Sequence, residues 1–534
     1  MVPSSGPYGT PRSLTRSAGI SHLPLIMGQG LVAYLAKNPY GCTEQLVSQA
    51  MPAVILQSRP EFGVTREYSE ESLMRIVSML RSRQNQEGGF GLWAANHYVV
   101  PWTSAYAVHF LLEARDRGHA VPADMINSAN NWMRQYASGE SESLAEERAR
   151  AYAIYLLARQ GVVVSQYAVT LQKRLEEKYS KVWRQDIAAA YLAAAYQLMR
   201  QEKLANDLIR GVKPTREVIM WEDYYDDLSR NSELVYLLAR HFPDELKRLD
   251  ADALESIAKP IRETRYNTLS SSYTLLALDA YGTATGNDTK GMFTITELLA
   301  DGTKKPLELS EGLMPKASFS SKAAKLKFAS SSDYLAYTVL NQSGFDRNLP
   351  DKEIKQEIEV FREYQDATGK PVTSVKLGDE VEVHLRIRAI GQNSLHDVAI
   401  VDMLPGGFEI VPESRATTAA AAPVRREPSE GEGEGEGGEG GEGEEGGSAS
   451  DENGSQCVAP IGSAKSNWRP SYADVREDRV VLYGMVQNTA QLFVYKIKAT
   501  NAGSYAVPPT FAEGMYNRKV EARALGGKIG VEGK

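Results

Sequence analysis

The stretch AYAVHFLLEAR, residues 105–115, indicates how the first half of the chain folds, because close variants of it recur. Four later stretches resemble it: AYAIYLLARQG (151–161), AYLAAAYQLMR (190–200), NSELVYLLAR (231–240) and SSYTLLALDAY (271–281). Their apolar residues have helical spacing, and their starts are separated by roughly 40 residues, the length of a helix–turn–helix unit. All five are rich in Ala, Leu and Tyr, which predicts buried inner helices. Charged stretches such as ESLMRIVSMLRSRQ (71–84) are expected outside them.

Helix pairs of this kind stack into an open solenoid or close into a ring. About six pairs close a barrel of helices, the α/α toroid. We therefore predict a multidomain α + β protein whose residues 21–285 form an α/α toroid.

After residue 285 the hydrophobic period changes from 3.6 to 2. In EVEVHLRIRAI (380–390) apolar residues alternate with polar ones, as in a half-buried antiparallel strand, and His384 falls on the polar face. We interpret His384 as a surface residue. Similar stretches predict antiparallel β-sandwich domains, which we divide into a complete or partial β-domain at 286–365 and a second domain at 366–534.

The composition is that of an ordinary globular protein, with 42% hydrophobic and 24% charged residues. The formal net charge of -8 is concentrated in one place, because residues 427–452 contain ten Glu and one Asp and no basic residue. The rest is close to neutral, so charge favours neither a nucleic-acid nor a membrane surface as a partner. A Gly- and Glu-rich run buries no apolar area, and we predict a disordered acidic loop over 416–456.

The N-terminal residues 1–20 are expected to be a leader or linker. The first twelve, MVPSSGPYGTPR, contain no apolar core and do not resemble a signal peptide. No stretch approaches the ~18 apolar residues needed to cross a membrane.

The metal-binding and disulfide signals are weak. The two cysteines, Cys42 and Cys457, make no disulfide framework, and Cys457 lies in a low-complexity region. There is no CxxC or HExxH motif, and the seven histidines lack metal-ligand spacing. We predict no metal and no cofactor.

The chemistry concentrates in NPYGCTEQLVSQ, residues 38–49. Cys42 and Gln45 stand three residues apart where a helix is expected to begin, and a thiol there is expected to have a lowered pKa. A thiolate that attacks the Gln45 carboxamide expels ammonia and leaves an internal thioester, which survives only where water is excluded. An ordinary packed helix start is the alternative. Glu44 assists ring formation or proton transfer, or is simply an acid favoured by the helix dipole.

A family resemblance favours the thioester. PYGCTEQ closely resembles the thioester signature of the α2-macroglobulin and complement family, particularly of its bacterial members. The segments GGFGLW (88–93) and PWTSAYAVHFL (101–111) resemble that family's thioester domain, an α/α toroid. The segments DMLPGGFEIV (402–411), VREDRVVLYG (475–484) and PPTFAEGMYNRKVEAR (508–523) resemble the last macroglobulin-like domain of the bacterial members. The resemblance covers nearly the whole chain and implies the C-terminal portion of such a protein.

The resemblance also implies a CUB-like assignment for residues 286–365. In the family the toroid is inserted into a CUB-like β-domain, so the first strands of that domain are expected before Cys42.

The resemblance implies a suicide-type protease inhibitor and not an enzyme. In the family a protease cuts a bait region, the thioester is exposed, and a lysine amine of the protease attacks the acyl carbon, here that of Gln45. The implied partners are target proteases, and the implied location is the periplasm. The bait region and other macroglobulin domains lie upstream in the family, and membrane contact is implied only through an N-terminal anchor outside this chain.

The chain departs from the family pattern at two places. Complement-type members use a histidine about a hundred residues after the thioester cysteine, and no histidine lies between His119 and His241, so we expect direct attack by amines. His97 and His109 remain candidates for a base, against the alternative of satisfied core histidines. Many bacterial members have a tyrosine at the position of Asn38. The remaining candidates for shielding the thioester are Tyr40, Met515 and Tyr516.

Three other interpretations stay open. One is a structural or peptide-binding module in which the thioester does not form. Another is an isoprenoid cyclase-like toroid enzyme with Asp223, Asp226 and Asp227 as a magnesium–diphosphate motif, although helix capping also explains such aspartates. The last is a cysteine hydrolase with Cys42 as nucleophile and His97 or His109 as base.

Overall fold

A computed structural model describes the chain over residues 11–96, 99–217, 225–249, 251–286, 291–331, 334–346, 350–412 and 461–533. The chain forms two compact units. The first unit comprises Met1–Lys352 together with Glu513–Glu521, and the second comprises Glu353–Ala512 together with Ala522–Lys534. The division therefore falls near residue 352, where the sequence suggested 365. The reason is that Ile358–Gln365 forms a strand paired with Glu380–Ala389 of the second unit.

The described part of the first unit contains thirteen α-helices. They are α1 Gln29–Lys37, α2 Thr43–Ile55, α3 Arg66–Arg83, α4 Pro101–Asp116, α5 Ala123–Ser138, α6 Leu144–Arg159, α7 Ser165–Lys178, α8 Ile187–Leu198, α9 Glu202–Ile209, α10 Asp227–His241, α11 Pro243–Leu246, α12 Ala251–Arg262 and α13 Thr268–Thr285. Short 3-10 helices occupy Pro24–Gly28, Leu56–Ser58, Pro60–Phe62 and Trp183–Gln185.

The five repeated stretches form most of α4, α6, α8, α10 and α13, and these helices are buried almost throughout, as predicted. Their contacts, together with those of α2, follow a closed cycle: α2 packs on α4, α4 on α6, α6 on α8, α8 on α10, α10 on α13, and α13 on α2. The other helices pack on members of this cycle, with α3 on α2, α5 on α6 and α9 on α8. Each fully buried Leu of the cycle contributes about 1.5–3 kcal/mol.

The described residues of Met1–Lys352 also include six strands: β1 Pro11–Ser21, β2 Phe293–Leu299, β3 Lys304–Pro306, β4 Lys316–Ser318, β5 Ala323–Ser330 and β6 Tyr337–Asp346. They make two three-stranded sheets, ordered β4-β1-β6 and β3-β2-β5. Residues 11–21 are thus a strand and not a leader or linker. Ala18 and Ile20 alternate with more polar neighbours and pack with Phe293 and Ile295, so this strand has a buried face of its own.

The remaining described strands belong to the second unit, except that β17 ends and β18 begins within Glu513–Glu521. Their bounds are β7 Ile354–Gln356, β8 Ile358–Gln365, β9 Ser374–Lys376, β10 Glu380–Ala389, β11 Ser394–Met403, β12 Phe408–Val411, β13 Tyr472–Val475, β14 Arg479–Gln487, β15 Gln491–Ala499, β16 Gly503–Val507, β17 Phe511–Gly514, β18 Glu521–Arg523 and β19 Gly527–Glu532. Their sheet orders are β12-β15-β10-β8, β13-β14-β11-β17-β18-β7 and β16-β19-β9. The long ladders are antiparallel, as predicted, and β19 pairs with β9 in parallel.

The surface position predicted for His384 is wrong. His384 is only 7% exposed, and its Nε2 lies 3.0 Å from Glu382 Oε2. The ammonium of Lys465 donates to both oxygens of Glu382 at 2.7 Å. A later segment therefore covers the Glu382–His384 part of the polar face of β10, which strand alternation alone does not reveal, whereas Arg386 and Arg388 remain exposed.

Several predicted features lie outside the described residues. They are the acidic loop over 416–456, Cys457, His97 and Asp223. Within the described residues, no helix combines the length and the apolar character needed to cross a bilayer.

Candidate functional site

Cys42 and Gln45 are joined by a reciprocal pair of hydrogen bonds at the start of α2. Cys42 is the N-cap residue, and its Sγ accepts from the backbone N–H of Gln45 at 3.4 Å. In return the backbone N–H of Cys42 donates to Gln45 Oε1 at 3.4 Å. This is a capping box, which explains the spacing of three residues. Both side chains are completely buried.

The turn before α2 is held by the loop that contains GGFGLW. The backbone N–H of Thr43 donates to Leu92 O at 2.9 Å, and its hydroxyl donates to Gly91 O at 2.6 Å. Arg83 bridges the turn and the loop, because its guanidinium donates to Gly41 O at 2.9 Å and to Leu92 O at 3.0 Å. A Cβ at Gly91 would lie 1.9 Å from Ala94 O, so this loop requires glycine there.

Glu44 is a fully buried carboxylate that accepts hydrogen bonds from three hydroxyls. Ser48, one helical turn further along α2, donates to Oε1 at 2.6 Å. Thr268, the first residue of α13, donates to Oε2 at 2.9 Å, and Tyr516 donates to the same oxygen at 3.0 Å. Charge-assisted hydrogen bonds of this kind offset the cost of burying a carboxylate.

The cover over Cys42 and Gln45 comes from Glu513–Glu521, which we call the cover segment. Met515, only 6% exposed, accepts at Sδ from Gln45 Nε2 at 3.3 Å. Tyr516 places its hydroxyl oxygen 3.8 Å from Cys42 Sγ. Two of the three predicted shielding residues therefore touch the two predicted ends of the thioester.

The cover segment is anchored at two further points. Tyr40, the third predicted shielding residue, donates its hydroxyl to the carboxylate of Glu513, and burial raises the pKa of that carboxyl. The guanidinium of Arg518 lies over the rings of Tyr34 and Tyr266, 5.4 Å and 4.9 Å from their centroids. The cover segment is therefore held by a hydrogen bond between Tyr40 and Glu513 and by cation–π contacts of the exposed Arg518, in addition to the contacts of Met515 and Tyr516.

Asn38 contributes to the shape of the turn. Its Oδ1 accepts from the backbone N–H of Tyr40 at 3.0 Å and from Gln49 Nε2 at 3.3 Å. Gln49 also donates to Tyr40 O at 2.9 Å. Asn38 therefore helps to place Tyr40, although it lacks an aromatic ring to act as a wall.

The lowered thiol pKa expected for Cys42 is wrong. Burial raises the pKa of this thiol well above its usual range, and the charge of Glu44 raises it further. The hydrogen bond from Gln45 and the more distant Arg83 act in the opposite direction but do not prevail. The helix N-terminus is outweighed because no water reaches the sulfur.

His109 lies in a different buried cluster. Its Nδ1 is 2.7 Å from the Tyr152 hydroxyl and its Nε2 is 3.2 Å from the Tyr236 hydroxyl. Since Tyr236 donates its own proton to Glu113 at 2.6 Å, His109 carries its proton on Nε2 and accepts from Tyr152 at Nδ1. Burial lowers the pKa of His109 to about 4. These contacts are those of a satisfied core histidine.

The described aspartates of the suggested magnesium motif have helix-capping and ion-pair partners. Asp226 caps α10 and accepts from the backbone N–H of Ser229 at 2.7 Å, and Asp227 pairs with Arg265 at 3.0 Å. Among the described residues no group of three or more His, Cys, Asp or Glu side chains has the geometry to hold a metal ion.

Most of the residues that support the site were not predicted from the sequence. Ser48 could have been found, because it lies four residues after Glu44 on the same helix. Thr268, Arg83, Glu513 and Arg518 carry no local signal, since each is placed only by tertiary packing.

Comparison with known proteins places the chain among bacterial relatives. The family model described as "Bacterial Alpha-2-macroglobulin MG10 domain" matches residues 358–518. The α2-macroglobulin homologue of Yersinia pestis is 35% identical over 522 residues, covering 96% of this chain and 25% of the relative. The α2-macroglobulin of Pasteurella multocida is 30% identical over 540 residues, covering 96% of this chain and 26% of the relative. The chain thus spans about a quarter of the length of these curated relatives.

Solved structures share the fold at lower identity. The native Escherichia coli α2-macroglobulin, solved from domain MG7 to the C-terminus, has a TM-score of 0.74 and 21% identity, covering 99% of this chain and 79% of that chain. Salmonella α2-macroglobulin reacted with methylamine has a TM-score of 0.73 and 20% identity, covering 99% of this chain and 32% of that chain.

Proposed function

Because the chain belongs to the bacterial α2-macroglobulin family and corresponds to its C-terminal portion, we propose that it carries the reactive centre of a covalent protease inhibitor. That centre is an internal thioester between Cys42 Sγ and the acyl carbon of Gln45. The protein consumes itself in the reaction and is not a catalyst.

One observation supports this proposal above the others. Cys42 and Gln45 are completely buried, are joined by reciprocal hydrogen bonds, and are each touched by a residue of the cover segment. A thioester in water hydrolyses, and one enclosed between α2 and Met515–Tyr516 is kept dry. A packed helix start has no need of such a cover.

The capture step follows from the electrophile. When the cover segment leaves, the unprotonated amine of a protease lysine attacks the Gln45 acyl carbon, and the carbon–sulfur bond breaks. An isopeptide bond forms, the proton released by nitrogen passes to the departing sulfur, and Cys42 becomes a free thiol. Since His109 is committed to Tyr152 and Tyr236, we expect the amine to attack directly, without transfer of the acyl group to His109.

The arrangement of domains follows the same proposal. We assign the closed cycle of α2, α4, α6, α8, α10 and α13 as an α/α toroid that forms the thioester domain. We assign the two small sheets of the first unit, which include strand β1 before Cys42, to a CUB-like domain interrupted by the toroid.

The biological role extends beyond this chain. We propose that target proteases are the partners, that they are held through their lysines, and that the periplasm is the site of action. This chain spans about a quarter of the length of its curated relatives, and we propose that it acts together with a bait region and upstream macroglobulin domains like those of the family.

Intact-mass measurement tests the thioester directly. We expect the chain to weigh less than its sequence by one ammonia, and Cys42 to resist alkylation until methylamine is added. After methylamine the mass rises by one methylamine and one thiol becomes alkylatable. A full sequence mass with an immediately alkylatable Cys42 indicates the rival, a structural module without a thioester.

The capture step is tested with an added protease. Covalent conjugates, stable in denaturing gels, should form with the unaltered chain and be absent with Cys42→Ala. Cys457→Ala is the matched control, because it removes the other cysteine and leaves the reactive pair intact. Conjugates that persist in Cys42→Ala would show that capture does not use the thioester.

A further inference from the structure

Formation of the Cys42–Gln45 thioester requires a proton acceptor, and the cover segment contains a residue that is suitably placed. Cys42 must lose its proton as sulfur attacks the Gln45 carboxamide, yet burial and the charge of Glu44 both oppose a free thiolate. The proton must therefore move during the attack, to a group already in contact with the sulfur. Tyr516 is such a group, with its hydroxyl oxygen 3.8 Å from Cys42 Sγ.

Tyr516 is in turn connected to a proton acceptor. Its hydroxyl donates to Glu44 Oε2 at 3.0 Å. Thr268 holds the same oxygen from α13, and Ser48 holds the other oxygen from α2. Sulfur, phenol and carboxylate thus form a short chain of hydrogen-bonding atoms, and the acceptor at its end is fixed from two helices.

We propose that Tyr516 is a catalytic residue of thioester formation, relaying the Cys42 proton to Glu44 as the ring closes. The inference rests on the proposed function, because it concerns the formation of the same thioester. It assigns to the Tyr516 hydroxyl a role distinct from that of its ring, which covers the bond afterwards.

The step balances without any further reactant. The thiol proton passes to the phenol oxygen while the phenol proton passes to Glu44, and the bond between Sγ and the Gln45 acyl carbon forms. The backbone N–H of Cys42, which already donates to Gln45 Oε1, stabilises the negative charge that develops on that oxygen. The bond to Nε2 then breaks, and the nitrogen takes up the proton that Glu44 had received and leaves as ammonia. Tyr516 and Glu44 thereby return to their starting states.

The relay couples formation of the bond to its protection. Tyr516 belongs to the cover segment, so the relay is complete only when that segment lies over Cys42 and Gln45. The electrophile is therefore made only in the state that keeps water away from it.

The experiment measures ring closure in the full chain. Ammonia opens the thioester back to Cys42 thiol and Gln45 carboxamide, by the reverse of the closing reaction. After ammonia is removed, the return of the mass deficit of one ammonia is followed over time. We expect Tyr516→Phe, which keeps the aromatic ring and loses the hydroxyl, to slow thioester formation by roughly 100-fold or more. Glu44→Gln is expected to slow closure similarly.

Two comparisons separate the relay from a loss of packing. Tyr196→Phe removes another buried tyrosine hydroxyl, one bonded to Gln172, and should close at the unaltered rate. Arg518→Ala loosens the cover segment without touching the relay and should slow closure by only a few-fold. Raising the pH should bring the closure rate of Tyr516→Phe closer to that of the unaltered chain, because hydroxide then removes the thiol proton. A closure rate that is slow because of a folding defect should not increase with pH.

The outcomes are distinct. Closure of Tyr516→Phe at the unaltered rate overturns the relay while the thioester stands. An unaltered chain that shows no mass deficit overturns the thioester and the relay together.

Discussion

Two buried polar clusters of the first unit differ in which parts of the chain enclose them. The site cluster consists of Cys42, Glu44, Gln45, Met515 and Tyr516, and its two halves are 470 residues apart in sequence. The histidine cluster consists of His109, Glu113, Tyr152, Arg159 and Tyr236 and lies entirely on α4, α6 and α10.

The difference indicates what each cluster can do. We expect the site cluster to open when one short segment leaves, because Met515 and Tyr516 belong to the cover segment. Its other three members lie on α2 or in the turn before it, and Thr268 of α13 holds only the carboxylate of Glu44. The histidine cluster opens only if helices of the closed cycle separate. Polar groups buried beneath a removable cover suit a reactive bond, whereas those buried between core helices suit stability.

The largest effect is expected from Gln45→Glu. The replacement keeps the length of the side chain and its carbonyl oxygen, but a carboxylate has no ammonia to expel and is a poor electrophile. The mass deficit of one ammonia should disappear completely, and Cys42 should be alkylated once the cover is displaced. Circular dichroism should remain that of the unaltered chain, and a persisting mass deficit would place the reactive bond elsewhere.

A large effect is also expected from Tyr516→Ala. The hydrogen bond to Glu44 is charge-assisted, and losing about 1.5–3 kcal/mol would make the open cover segment roughly 10- to 100-fold more populated. Spontaneous appearance of a free thiol, followed by a chromogenic disulfide reagent, should accelerate by that factor. This variant must be assayed on molecules that have already closed. An unchanged rate would remove Tyr516 from the cover.

A substitution in the histidine cluster should change the stability of the fold and leave the thioester unaffected. Glu113 accepts from Tyr236 and pairs with Arg117 and Arg159, and these arginines hold the pKa of its carboxyl well below its usual range. Glu113→Gln should lower the free energy of unfolding by about 3–5 kcal/mol, since it leaves buried positive charge uncompensated.

Denaturant unfolding measures this change, with the exposed Glu71→Gln as a matched control of little effect. The fraction of folded Glu113→Gln molecules that carry the mass deficit should be unchanged. A selective loss of the deficit would connect the two clusters.

The pH dependence of stability should reflect His109. Its pKa is lowered by burial from the usual 6.5 to about 4, so the folded state holds it neutral where the unfolded state takes up a proton. The contribution of His109 to stability is fully present above pH 6.5 and is lost as the pH falls toward 4. It amounts to about 1.4 kcal/mol for each unit by which the folded-state and unfolded-state pKa values differ.

The measurement is the free energy of unfolding between these pH values. Arg159 and Arg240 oppose protonation of His109, whereas Glu113 favours it. His241, with its pKa lowered to about 3, adds a contribution of the same sign. His109→Gln should flatten the curve between 6.5 and 4, and an identical curve in that variant would assign the loss to other groups.

The smallest effect is expected from Arg518→Ala. A cation–π contact contributes about 0.5–2 kcal/mol, so spontaneous opening of the thioester should accelerate by a few-fold to about 30-fold. Arg518→Lys should recover part of the difference, because an ammonium also binds the rings of Tyr34 and Tyr266. Equal rates in the Ala, Lys and unaltered chains would exclude this anchor.

Local patterns accounted for much of the fold. The helical spacing in residues 105–115 and its repeats predicted the buried helices α4, α6, α8, α10 and α13, and alternation predicted β10. The same local logic misplaced His384, which is covered by the segment around Lys465, and overlooked β1, which pairs with β6 more than three hundred residues later.

For the candidate site, the local pattern was enough to predict Cys42 and Gln45 at a helix start. A capping box needs only residues three positions apart, so its spacing is visible in the sequence. Tertiary packing is the reason that both residues are buried, that the Cys42 thiol has a raised pKa, and that Thr268 and Tyr516 both bind Glu44. Those properties depend on excluding water with residues brought from hundreds of positions away, and no local pattern records such a contact.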